Sequence, residues 1–80
     1  MNNSILYENI YSALLRLAEK NSLRRVNNIK ILVNKNIDIS EKDLLKYLKI
    51  ENNILFGEWT SIDIEKDEIE IIKAVIKVID

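Results

Sequence analysis

The chain has 80 residues, a formal net charge of −1, 48% hydrophobic and 31% charged residues, and neither cysteine nor histidine. That balance is globular rather than disordered, and a chain this small buries only about 60% of its unfolded surface. It excludes disulfides and thiolate metal sites. It also removes the commonest general base, pH switch and transition-metal ligand together, and gives no global attraction to nucleic acid or an anionic membrane.

One domain, residues 1–80, is expected. No apolar run approaches the roughly 18 residues that a membrane span needs. Met1-Asn2-Asn3-Ser4 lacks the basic start of a signal peptide, so a cytoplasmic location is expected.

Asn2, Asn3 and Ser4 offer side-chain oxygens to cap a first helix. From Ile5 to about Lys20, the residues Leu6, Ile10, Ala13, Leu14 and Leu17 recur at spacings of three and four, which predicts one apolar helix face. Tyr7, Tyr11 and Ala18 widen it, and Lys20 favours the last turn. Asn21-Ser22 breaks the helix. Arg24–Val33 then reads as a strand whose apolar members are Val26, Ile29, Ile31 and Val33.

Asn34–Asn36 is a polar turn. Ser40, with Asp43 three residues on, is a capping signal for a second helix from Glu41 to about Ile50, with Leu44, Leu45 and Leu48 as its buried stripe. Glu51–Glu58 reads as a loop in which Gly57 supplies backbone freedom. Ser61–Glu65 alternates as a half-buried strand, with Lys66-Asp67 as the turn after it.

The segment Ile69–Ile79 admits two readings. Its β-branched density favours a strand that pairs with Ser61–Glu65. A bulge near Ile71-Ile72 would then keep Ala74, Ile76 and Val78 on the inner face. Glu70, Lys73, Lys77 and Asp80, spaced three, four and three, equally describe the polar stripe of a helix.

The order helix, strand, helix, loop, strand resembles the metal-binding domain of the HypA/HybF nickel metallochaperones of hydrogenase maturation. The likeness runs without gaps from about Ala18 to Lys66. It rests on Ala18-Glu19-Lys20-Asn21 ending the first helix and on Val26-x-x-Ile29-Lys30-Ile31 as the strand. Leu44 and Tyr47 lie on the second helix, and Glu58 stands ahead of Ile62-Asp63-Ile64-Glu65.

The resemblance implies that Lys66-Asp67 replaces the family's zinc domain and that Ile72-Lys73-Ala74-Val75 is the returning strand, which tips the last segment toward strand. It departs at the nickel site, where the family's Met-His-Glu is Met1-Asn2-Asn3 here. Two of the family's glycines are Asn34 and Trp59 here. Amide side chains are poor nickel ligands.

Other constellations are weak. Glu65, Asp67, Glu68 and Glu70 cluster without calcium-binding spacing. Arg16, Lys20, Arg24 and Arg25 gather near the end of the first helix without interleaved aromatics, so they read better as a helix terminus than as a nucleic-acid patch. Phe56 and Trp59 flank Gly57 and suit either an interface anchor or a lid on a small core. No serine has a histidine base.

The expectation is an α+β domain, with two helices on one face of a small three-stranded, mostly antiparallel sheet. Its function would be a non-catalytic protein-interaction module with candidate contacts at Phe56, Trp59, Arg24 and Arg25. A protein partner, or self-association through a free strand edge, is expected; metal, cofactor, nucleic acid and membrane are not. The alternatives are a hydrogenase-maturation accessory that still binds nickel through its N-terminal amine and backbone amides, and a small nucleic-acid or regulator-binding domain.

Overall fold

The computed structural model describes residues 3–71 and 73–80. Helix α1 spans Ser4–Lys20 and buries Leu6, Ile10, Leu14 and Ala18, a row spaced by four that enters the core as one stripe. Ala13 and Leu17, expected on that face, lie at its half-buried margin. Asn3 stands at the N-cap but makes no capping bond with its side chain. Instead its Nδ2 donates to the carbonyl of Asp38 at 2.8 Å, tying the helix start to the segment before the second helix.

The other end of α1 closes without glycine. Leu23 N–H donates to Ala18 O and Ser22 N–H to Glu19 O, while Ser22 takes the left-handed φ of 54°. This is the Schellman arrangement, with Ser22 where glycine is usual. Asn21 Nδ2 adds a bond to Leu17 O at 2.9 Å.

Strand β1 is Asn28–Asn34, and helix α2 is Glu41–Glu51. Ser40 caps α2 as expected, its Oγ accepting from Asp43 N–H at 3.1 Å. Glu41 and Asp43 in the first turn and Lys49 in the last complement the helix dipole. Ile37 and Ile39, in the connection before Ser40, are also buried.

Strands β2, Ser61–Asp67, and β3, Ala74–Ile79, complete the sheet. The last segment is therefore a strand, and the α1-β1-α2-β2-β3 order agrees with the sequence reading. The pairing differs from it. The sheet order is β2-β1-β3, with β2 parallel and β3 antiparallel to β1, so the sheet is mixed rather than mostly antiparallel.

No β2–β3 hairpin forms, and β3 has no ladder to Ser61–Glu65. The cause is packing. Ile29 and Ile31 pair with Ile62 and Ile64, so α2 crosses over to set β2 beside β1, while β3 takes the other side of β1 against α1.

Lys66 and Asp67 continue β2 to the end of β1 and are not the turn. The chain crosses the end of β1 through residues 68–73. Lys35 N–H bonds Asp67 O at 2.9 Å, and the Asn34 amide donates to Ile69 O. The bulge lies within β3 rather than near Ile71-Ile72. Lys30 pairs with Val78 and Ile31 with Ile76, leaving Lys77 as the extra residue. That one-residue slip turns Val78 outward and brings Ile79 against the core, the reverse of simple alternation. Ile72 lies outside the described residues.

Strand β1 also begins later than Arg24. Val26 is fully buried, but its N–H bonds the loop carbonyl of Leu55 at 2.9 Å instead of joining the ladder. The core comprises the α1 row, Val26, Ile29, Ile31, Val33, Ile37, Ile39, Leu44, Leu48 and Phe56.

Candidate functional site

The aromatic loop is built on Asn52, whose Oδ1 accepts the N–H groups of Ile54 and Leu55 at 3.1 Å each. This Asx turn drops Phe56 into the core at 0% exposure, edge-on to Tyr11 with ring centroids 6.3 Å apart. Phe56 is thus a core residue and not a surface anchor, the lid reading that its size also allowed.

Trp59 is half-buried, and its Nε1–H donates to Leu55 O at 3.1 Å. Arg25 lies over the indole, 4.3 Å from its centroid, a cation–π contact. Gly57 has no positive φ. It is required for room: a Cβ there would meet the indole ring at 2.5 Å. Thr60 locks the loop, its hydroxyl donating to Val26 O at 2.8 Å and accepting from Gly57 N–H at 3.1 Å.

The four expected cations do not form one patch. Arg25 stays with Trp59. Arg24 is exposed, its side chain in no hydrogen bond or ion pair among the described residues. Arg16 and Lys20 face a different place, an open groove of about 420 Å³ floored by Ala13, Leu17, Ala74 and Ile76. A second groove of about 460 Å³ runs along α2 between Lys42, Asp43, Leu45, Lys46, Lys49 and Ile50.

The expected acidic cluster is dispersed by lysines. Glu65 bonds Lys30 at 3.0 Å and Lys77 at 3.3 Å, Glu68 bonds Lys35 at 2.6 Å, and Glu70 lies 3.5 Å from Lys73. The Lys30 ammonium, with that of Lys77, holds the Glu65 carboxyl below the usual carboxylate range, and Glu65 in turn raises Lys30. Lys49 lowers Glu58 in the same way. No group of three metal-ligating side chains occurs among the described residues. Met1 and Asn2, where the resemblance places nickel ligands, lie outside them.

A further surface was not singled out by the sequence reading. Contacts place both helices over one face of the sheet. The other face presents Leu32, Val75 and Val78. Val75 and Val78 are 45% and 43% exposed. The Lys30–Glu65–Lys77 network spans all three strands across this face. The signal was in the β3 alternation, where Val75 stands opposite in phase to Ala74 and Ile76; the Lys77 bulge hid the rest.

No helix among the described residues is long and apolar enough to cross a membrane. No protein-family model and no curated protein matches the chain.

Proposed function

We propose that this chain is a small non-catalytic protein-interaction module on a HypA-like scaffold that lacks the family's nickel and zinc ligands. The observation that carries the interaction reading is the uncovered sheet face, where Val75 and Val78 stand nearly half exposed with Leu32. Apolar side chains grouped this way mark contact surfaces more often than scattered ones do. The scaffold reading is supported by the element order and by a short crossing segment, residues 68–73, where the family would carry its zinc domain.

The test compares wild type with a V75D/V78D double variant by sedimentation velocity across a hundredfold concentration range, and by crosslinking against the source proteome. Both substitutions keep exposed positions exposed, so the fold is retained by circular dichroism. Association or a crosslinked partner present in wild type and absent in the variant supports the module. Identical monomeric sedimentation and identical crosslinks in both would refute it.

A further inference from the structure

We infer that the free edge of β3 is a strand-docking site for an extended, acid-bearing segment of another protein, seated in the groove between β3 and α1. The inference names the partner chemistry for the interaction module proposed above and rests on that reading.

Three observations converge. First, β3 is hydrogen-bonded on one side only, to β1, which leaves a row of backbone groups along its outer edge. Such an edge is a template for one more strand. Second, α1 overhangs that edge. Ala13, Arg16, Leu17 and Lys20 follow i, i+3, i+4, i+7 spacing and share one helix flank, and with Ala74 and Ile76 they line the groove of about 420 Å³. An added strand would therefore set alternate acidic side chains on the helix side, their methylene stems on this apolar floor and their carboxylates toward Arg16 and Lys20. Its other side chains, the apolar ones, would lie beside Val75 and Val78 on the opposite face.

Third, the rim is cationic. Arg16 and Lys20 are exposed and have no ion-pair partner among the described residues. Lys77 on the strand and Lys73 just before it are already paired, with Glu65 and Glu70.

Charge also selects between occupants. Antiparallel pairing of two β3 edges would bring the unpaired Arg16 and Lys20 of both copies onto the same face of the joined sheet, which is unfavourable. The β3 edge, with Arg16 and Lys20 unpaired beside it, accepts acid. The occupant is an extended segment alternating apolar with acidic residues.

The experiment uses the full chain and a fluorescein-labelled, end-blocked heptapeptide alternating glutamate with valine, read by anisotropy. The matching lysine–valine peptide serves as control. Binding of the acidic peptide only, weakened about tenfold in R16E/K20E by the loss of two exposed charge pairs, supports the site. K42E/K46E makes the same change in net charge at the α2 groove and keeps binding within twofold.

Two further peptides carry N-methyl groups on alternate amides, in opposite phase. A strand presents alternate amides to each edge, so one of these must lose binding and the other keep it. Equal binding of both, or equal effects of the two charge-reversed proteins, overturns the proposal. Concentration-dependent association of wild type that R16E/K20E abolishes assigns the groove to a second copy and overturns it as well. If no peptide binds while the V75D/V78D difference persists, the strand site falls and the interaction module stands.

Discussion

Gly57→Ala tests whether the indole of Trp59 is seated by a missing side chain. The new Cβ would lie 2.5 Å from two ring carbons and 2.9 Å from a third. Ordinary carbon contacts begin near 3.5 Å, so the ring must withdraw by roughly 1 Å. That movement stretches the 3.1 Å bond from Nε1 to Leu55 O beyond hydrogen-bonding range, and it displaces the ring from beneath Arg25. The lost hydrogen bond is worth about 0.5–1.5 kcal/mol and the exposed cation–π contact about 0.5–1 kcal/mol. Because φ at Gly57 is not positive, alanine also restricts the unfolded chain, a gain of about 0.4–1 kcal/mol.

The net expectation is a destabilisation of about 1 kcal/mol. Urea unfolding followed by circular dichroism measures it, and the emission of the single tryptophan reports ring displacement as a red shift. A double-mutant cycle isolates the cause: in a Trp59→Ala background, Gly57→Ala becomes neutral or stabilising. Unchanged emission with equal or higher stability in the wild-type background would refute the reasoning, because the glycine would then not be there for the ring.

Thr60→Val removes a nearly buried hydroxyl and leaves Val26 O and Gly57 N–H without that partner. It should cost about 2–6 kcal/mol in urea unfolding, at about 1–3 kcal/mol for each of the two orphaned groups. Thr60→Ser, which keeps the hydroxyl, should cost at most about 1 kcal/mol for the lost methyl group; the opposite ranking would sink the clamp. Glu65 has a lowered folded pKa, so its contribution is fully present above the ordinary value of 4.5 and fades as pH falls through the depressed one. Lys30, raised above 10.5, keeps its contribution below that value and loses it as pH rises through the higher one. Stability of wild type relative to Glu65→Gln, followed by thermal melts across pH, should therefore form a plateau between these limits and shrink on both sides. A difference independent of pH would exclude the network as its origin.

Much of the fold is legible where one physical demand acts alone. The α1 stripe, the Ser40 cap and the Ser61–Glu65 alternation are local patterns, and each forms the element it specifies. Lateral strand order is not local. Nothing in Ile69–Ile79 distinguishes an edge beside β2 from one beside β1; the choice follows from where α1 and α2 lie on the sheet. The bulge was misplaced because Val78 and Ile79 are equally apolar, and only the register against Lys30 and Ile29 decides which turns inward.

At the candidate site, Trp59 is half-buried with Arg25 over its ring, a contact that the sequence alone does not show. Phe56 was ambiguous because a large ring suits a core and an interface equally. Gly57 was assigned to backbone freedom because the sequence does not show which ring lies above it. The groove beside Arg16 and Lys20 joins two elements far apart in the chain.

The middle position of Asn28–Asn34 bears on how the chain reaches its native state. Both ladders recruit distant residues, 61–67 on one side and 74–79 on the other, so no hairpin exists to seed assembly. Loop closure must be met before any rung is gained. Early collapse therefore falls to α1, with its self-closing end, and to α2, while pleated structure arrives late and together. Refolding should be slower than for an all-helical chain of equal length, with both outer strands acquiring amide protection in the same kinetic phase.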